Sequence, residues 1–203
     1  FALGSYATQC DYKDIQITTA DGKVKAYKPT DFNQMRGTWK VEGDMISQTS
    51  NEQTTMAMLQ GFTGDDYTVT LKARKTGGNE GFFLYYGMDE RGRNGYVVNI
   101  AGWDNRTTCV QPVTNGRAND NVSPQVRQTV ENGKWYDIKI VVKPQSTVFY
   151  VDGKEITTAK PLSQTRQFCQ TGYDEQTGEL VIKVVNGTEQ PYTREFEIAG
   201  AQR

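Results

Sequence analysis

Short runs of alternating apolar and polar residues dominate the chain, and Gly, Asn or Asp residues separate one run from the next. The clearest runs are 12–18, 38–43, 66–74, 81–87, 135–142 and 147–153. In the run 66–74 every second residue is apolar, namely Tyr67, Val69, Leu71 and Ala73. A period of two is typical of strands that bury one face, and no helical period is sustained along the chain. The pattern therefore predicts antiparallel sheets with one face exposed to water.

Turn residues support the same fold class. Asp152 and Gly153 separate two strand-like runs and supply the positive φ angles that a tight hairpin requires. Pairs that end in Gly follow other runs in the same way, at 21–22, 42–43, 132–133 and 186–187. This spacing predicts an all-β fold, an antiparallel β-sandwich. The polar segment 114–133 interrupts the regularity and is predicted to be a long surface loop with at most a short strand.

Composition excludes several classes of function. The 203 residues suffice for one domain with a substantial core, or for one domain and a fragment of another. The 23 basic and 24 acidic side chains give a net charge of -1 without a basic stripe, so neither nucleic acid nor a membrane is predicted as a partner. Histidine is absent, which removes the commonest general base and the usual zinc ligand.

Three cysteines, Cys10, Cys109 and Cys169, lie far apart in the sequence and form no C-x-x-C pair. Neither a zinc cluster nor a redox pair is indicated by this spacing. Three buried free thiols are favoured over a single disulfide with one thiol left over.

Several segments, in this order, resemble a known family. They are GSYATQCDYKDIQIT (4–18), RGTWKVEGDMISQTS (36–50), DYTVTLKARKTGGNEGFFLYYG (66–87), NIAGWDNRTTCVQ (99–111) and ENGKWYDIKIVVKPQSTVFYVDGKEI (131–156). Together they look like the concanavalin A-like jelly-roll module in the non-catalytic C-terminal part of α-L-arabinofuranosidases of glycoside hydrolase family 51. The tail GYDEQTGELVIKVVNGTEQP (172–191) looks like the adjoining β-sandwich strands of the same enzymes.

The resemblance implies a domain division. A concanavalin A-like jelly roll is expected over residues 1–165, and an additional C-terminal strand meander over 166–203 either completes the same sandwich or begins a second one. The run 12–18 and the segment 193–200 alternate in a similar way. We therefore expect these two segments to pair or to lie in one sheet.

A catalytic role is not implied for this chain by itself. The two catalytic glutamates of such enzymes lie in a (β/α)8 barrel, and this chain lacks the strand-helix alternation that forms one. The resemblance implies a carbohydrate-binding accessory module whose partners are an arabinose-containing polysaccharide or oligosaccharide and the catalytic barrel of a parent arabinofuranosidase. One alternative is a structural spacer that packs on the barrel. The other is an independent jelly-roll glycoside hydrolase, which the missing E-x-D-x-x-E run disfavours.

The segment NIAGWDNR suggests a shallow sugar-binding groove. Sugars present C–H faces and hydroxyl edges, so they are bound by an aromatic ring together with planar polar groups. If residues 95–100 form a strand, Asn99 points away from Val98 and Ile100. Either Tyr85 or Tyr86 of the preceding strand is expected alongside. The candidate site residues are Trp103, Asn99, Asp104, Arg106 and Tyr86. The alternative is that Trp103 packs in the core or covers a sheet edge, as is expected for Trp39 and Trp135.

No organic cofactor is expected. The concanavalin A-like resemblance leaves Ca²⁺ as a candidate ion, for which the loops offer Asp65, Asp66, Asp89 and Asp120. None of these residues belongs to a spaced ligand run of the EF-hand kind. The resemblance also implies a periplasmic, cell-surface or extracellular location.

Overall fold

The structure, a computed structural model, describes residues 1–160, 167–186, 191, 193 and 195–198. The chain divides into two compact units, Phe1–Leu162 and Ser163–Arg203. In the first unit the strands are β1 (Ala2–Gly4), β2 (Thr8–Thr19), β3 (Val24–Ala26), β4 (Phe32–Arg36), β5 (Trp39–Glu42), β6 (Met45–Gln48), β7 (Met56–Leu59), β8 (Tyr67–Gly78), β9 (Phe82–Tyr86), β10 (Gly95–Ala101), β11 (Thr107–Thr114), β12 (Arg117–Ala118), β13 (Val126–Arg127), β14 (Trp135–Lys143), β15 (Ser146–Val151) and β16 (Lys154–Ala159). A 3-10 helix spans Pro29–Asp31, and a helical turn, α1, spans Gly102–Asn105.

Two antiparallel sheets of eight strands each make up the first unit. The first sheet runs β12-β11-β10-β9-β1-β7-β4, with β13 paired to β11. The second sheet runs β16-β15-β14-β8-β2-β6-β5, with β3 paired to β2. The predicted all-β fold, an antiparallel β-sandwich of the concanavalin A-like jelly-roll type, is confirmed.

The core lies between the two sheets and is built by the predicted alternation. On β8 the side chains of Tyr67, Val69, Leu71 and Ala73 are all buried there. The predicted hairpin also forms, because Asp152 and Gly153 have φ angles of 49° and 77° between β15 and β16. Removing these apolar faces from water is the main force that holds the sheets together.

Tyr12 joins the two sheets directly. Its ring lies on β2 of the second sheet and packs edge-on against Phe82 of the first, with 6.2 Å between ring centroids. Its hydroxyl donates a hydrogen bond to the carbonyl oxygen of Gly4 on β1. One fully buried side chain therefore contributes both apolar packing and a polar contact across the sandwich.

The first sheet buries part of its other face as well, which the alternation did not predict. All five residues of β9 are buried, so the strand has no solvent-exposed side. The second apolar layer consists of Ala2, Met56, Phe83, Tyr85, Val97 and Val113. Partly buried Tyr6, Met35, Met58 and Met88 pack around it.

Two expectations about single side chains are wrong. Trp135 of β14 lies across from Arg74 of β8. Its side chain is on the outer face of the second sheet and is therefore only partly buried. Lys13 and Arg74 cover its ring at 4.9 and 4.5 Å from the centroid. Cys169 is exposed, although Cys10 and Cys109 are buried free thiols as predicted. Trp39 is buried in the core as expected.

In the second unit, β17 (Gln167–Asp174) and β18 (Glu179–Asn186) form an antiparallel hairpin. The third strand of the predicted meander falls partly outside the described residues, and its described part, 195–198, is not a strand. The run 12–18 lies in β2, which is flanked by β8 on one edge and by β6 and β3 on the other. Its expected partner, 193–200, falls partly outside the described residues.

Replacing Tyr12 by phenylalanine tests the link between the sheets. The Tyr12→Phe variant keeps the ring but loses the buried hydrogen bond to Gly4, so we expect it to lower the free energy of unfolding by about 1–2 kcal/mol. Chemical denaturation measures this change. Tyr150→Phe on the outer face is the control and should stay within about 0.5 kcal/mol of the parent. Equal effects of the two variants would contradict the proposed role of Tyr12.

Candidate functional site

A groove of about 500 Å³ lies on the face of the first sheet that points away from the core. Its volume falls in the range of pockets that bind small molecules. The apolar floor consists of Phe83, Tyr85, Val97 and Val113. Polar side chains of Glu80, Asn99 and Gln111, together with the ring of Trp103, line the groove as well. The groove thus combines an apolar surface with a few polar groups.

Asn99 and Gln111 form the polar part of the floor. The Gln111 amide nitrogen donates to the carbonyl oxygen of Asn119 at 2.8 Å, which fixes the orientation of that side chain. The oxygen of Gln111 then accepts from Nδ2 of Asn99 at 3.5 Å. Oδ1 of Asn99 is left without a donor among the described residues, although Asn99 is only 6% exposed. A buried acceptor without a partner costs about 1–3 kcal/mol.

The turn that carries Trp103 has a strained backbone. Four residues other than glycine have left-handed φ angles here: Ala101 (50°), Trp103 (50°), Asp104 (61°) and Asn105 (60°). Each such residue costs roughly 1–2 kcal/mol relative to the right-handed region. Trp103 is 44% exposed at the groove. Local strain of this kind is concentrated at functional sites, where surrounding contacts maintain it.

Asn105 anchors this turn to the segment before β14. Its Nδ2 donates to the carbonyl oxygen of Val130 at 2.9 Å, and its Oδ1 accepts from the Val130 backbone N–H at 2.8 Å. Gly102 lies against the amide of Asn99, where a Cβ atom would be 2.3 Å from Oδ1. Only glycine therefore allows the turn to pack this closely on the groove floor.

Glu80 lies in the connection between β8 and β9, beside the same turn. Its carboxylate lies near the backbone N–H groups of Asp104 and Trp103. Burial raises the pKa of Glu80 above its usual value, and these two donors only partly oppose the rise. The turn therefore presents both an aromatic ring and a fixed carboxylate to the groove.

The structure brings together some of the candidate residues and separates others. Asn99 and Trp103 line the same groove, whereas Asp104 contributes a backbone N–H and its side chain is exposed. Arg106 is exposed at the end of the turn and does not line the groove. Tyr86 lies on the opposite face, where it stacks on Tyr96 in the core at 5.2 Å.

Most of the residues that line the groove were not among the predicted site residues, and three of them bear on its chemistry. Tyr85, rather than Tyr86, faces the groove, since it shares a sheet face with Phe83. Gln111 lies directly across from Val97 in the register of β10 and β11, so strand pairing would have identified it. Glu80 carries no signal in the sequence, because only the fold of the 101–106 turn brings it to Trp103.

The residues considered for Ca²⁺ do not form one site. Within the described residues no group of three or more potential metal ligands occurs. The carboxylate of Asp66 accepts a hydrogen bond from Lys143, and that of Asp89 accepts from Arg93 and Asn94 in its own loop. These contacts account for two of the four candidate carboxylates as loop-stabilising groups.

Both a protein family and an individual protein are similar to this chain in sequence. Residues 15–196 match the family described as the 3-keto-alpha-glucoside-1,2-lyase-like domain. An extracellular exo-alpha-L-arabinofuranosidase of Streptomyces chartreusis is 28% identical over 210 residues, which cover 98% of this chain and 25% of that protein. The chain therefore spans about a quarter of the length of this relative. No solved structure matches the chain. Within the described residues, no helix is long and apolar enough to cross a membrane.

The raised pKa of Glu80 predicts that the difference in stability between the parent and the Glu80→Gln variant depends on pH. Above the usual pKa of glutamate and below the raised one, the folded protein binds more protons than the unfolded chain, so Glu80 lowers stability as pH rises. The Glu80→Gln variant has no ionisable side chain at this position. The melting temperature of this variant relative to the parent should therefore increase as the pH rises from the usual pKa of glutamate through the raised pKa of Glu80. A constant difference, measured by thermal denaturation at each pH, would show that Glu80 titrates normally.

Proposed function

The chain belongs to the 3-keto-alpha-glucoside-1,2-lyase-like domain family, and from this membership and the groove we propose that it is a carbohydrate-binding accessory module. The observation that carries the proposal is the strained turn that holds Trp103 at the groove beside Glu80 and Asn99. An exposed indole ring in such a position stacks on the C–H face of a sugar. The adjoining amide and carboxylate groups suit the hydroxyl edge of the same ring.

The similar extracellular protein suggests the setting in which the module works. Because that protein is named an exo-alpha-L-arabinofuranosidase, we propose that this chain belongs to a secreted protein that degrades arabinose-containing polysaccharide. The narrower assignment to glycoside hydrolase family 51 rests on the quoted sequence motifs. In such a protein a weak individual site is sufficient, since tethering supplies a high effective concentration of substrate near the catalytic unit.

Affinity electrophoresis in gels that contain arabinan or arabinoxylan tests the binding function. The parent chain should be retarded, and Trp103→Ala should weaken binding at least about tenfold because the stacking surface is lost. Trp103 is largely outside the core, so the variant should keep its melting temperature within a few degrees.

Trp135→Ala is the matched control, because Trp135 is a partly exposed tryptophan on the outer face of the second sheet. This variant should bind as the parent does once its folding has been checked. If neither the parent nor the control is retarded by any plant polysaccharide, the chain acts as a structural spacer. Equal retardation of the Trp103→Ala variant would place the sugar elsewhere.

A second candidate function is elimination on an oxidised glucoside, which the family description and Glu80 favour together. In a 3-keto glucoside the proton on C2 is acidified by the adjacent carbonyl. A carboxylate base removes this proton, the C1=C2 double bond forms, and the C1–O bond breaks as the leaving oxygen takes up a proton. Glu80 is the one carboxylate among the described residues that line the groove.

Incubation of the chain with a 3-keto glucoside tests this second candidate. The product is a conjugated enone, so its formation is followed as an increase in ultraviolet absorbance. If Glu80 is the base, Glu80→Gln should slow the reaction by at least about a hundredfold, the lower end of what a positioned base contributes. Absence of product with the parent chain would leave the binding function alone.

A further inference from the structure

The charges around the groove are unevenly distributed. Among the described residues that line it, only Glu80 and Arg117 are charged. Arg117 pairs with Thr114 at one end of β11, whereas Asn99 lies across from Cys109. The five steps along β11 from Cys109 to Thr114 separate the two ends by roughly 17 Å of strand. Arg117 is therefore too far along the sheet to neutralise the carboxylate beside Trp103.

No cation reaches the Glu80 carboxylate from within the groove. Lys75 is close enough to act on the carboxylate electrostatically, but it is buried and does not line the groove. Asp104, on the turn itself, adds a second negative charge nearby. The end of the groove that contains Trp103 thus presents negative charge to any ligand.

The same end offers hydrogen-bond acceptors. A carboxylate accepts at about four lone-pair positions, and the nearby backbone N–H groups of Trp103 and Asp104 can fill at most two of those on Glu80. The remaining positions require a donor from the ligand. Two adjacent sugar hydroxyls meet this requirement, whereas a sugar carboxylate provides no proton and adds repulsion between like charges.

We propose that Glu80 is a specificity-determining residue that makes the groove select uncharged sugars with adjacent hydroxyls and reject acidic sugars; this rests on the proposed carbohydrate-binding function. Trp103 supplies the stacking surface for either kind of sugar. Glu80 discriminates between them. Removing its charge while preserving its shape should therefore remove the discrimination without removing the binding.

Three forms of one polysaccharide test this proposal. Arabinan is compared with arabinan whose primary alcohols have been oxidised to carboxylates, and with the methyl ester of that oxidised form. By isothermal titration or affinity electrophoresis, the parent chain should bind the oxidised form at least about tenfold more weakly than arabinan. Esterification should restore binding, because it removes the charge and keeps the carbonyl group that the oxidation introduced.

Glu80→Gln should bring the affinities for arabinan and oxidised arabinan to within about threefold of each other. Glu42→Gln, an exposed acid on β5 of the second sheet, is the matched control and should keep the parent's preference. Equal binding of the charged and uncharged forms by the parent, or an unchanged preference in Glu80→Gln, would overturn the selectivity while leaving carbohydrate binding intact. If the parent binds none of the three forms, both proposals fail for this polysaccharide class.

Discussion

The register between β9 and β10 connects the core to the groove. Phe82 lies across from Ile100 and Leu84 across from Val98, and all four side chains point into the sandwich. The residues between them point the other way, so that Asn99 lies beside Phe83 on the groove floor. A slip of one residue would exchange these two sets of side chains. Because both faces of β9 are buried, the packing of the core also fixes the groove.

The turn after β10 contributes unfavourable free energy to the folded state. Its left-handed residues and the unpartnered Oδ1 of Asn99 are both unfavourable by themselves. The paired hydrogen bonds between Asn105 and Val130, and the N–H groups that reach Glu80, offset part of that cost. A hairpin with a glycine-containing turn would join β10 and β11 with less strain. What the strained turn provides instead is an exposed indole and a fixed carboxylate on one side of the groove.

The sequence predicts the two-residue period well where one face of a strand is polar. On β8 this period identified the buried side chains, and on β10 it identified Asn99 as pointing away from the core. The same method fails on β9, because all five residues are apolar and no polar position marks a face. Tyr86 was therefore chosen where Tyr85 faces the groove. Glu80 and the left-handed turn depend on contacts that no local pattern encodes.

Recognition and proton transfer place different demands on Glu80. A base must gain a proton, and a raised pKa makes a carboxylate a stronger base, whereas recognition of sugar hydroxyls requires the charged form. Burial raises the pKa of Glu80, and the nearby backbone N–H groups of Trp103 and Asp104 oppose only part of that rise. Glu80 and Trp103 line the same groove. Because the turn beside Glu80 carries Trp103, one element of the fold places a stacking surface next to a hydrogen-bond acceptor, and recognition of a sugar uses both.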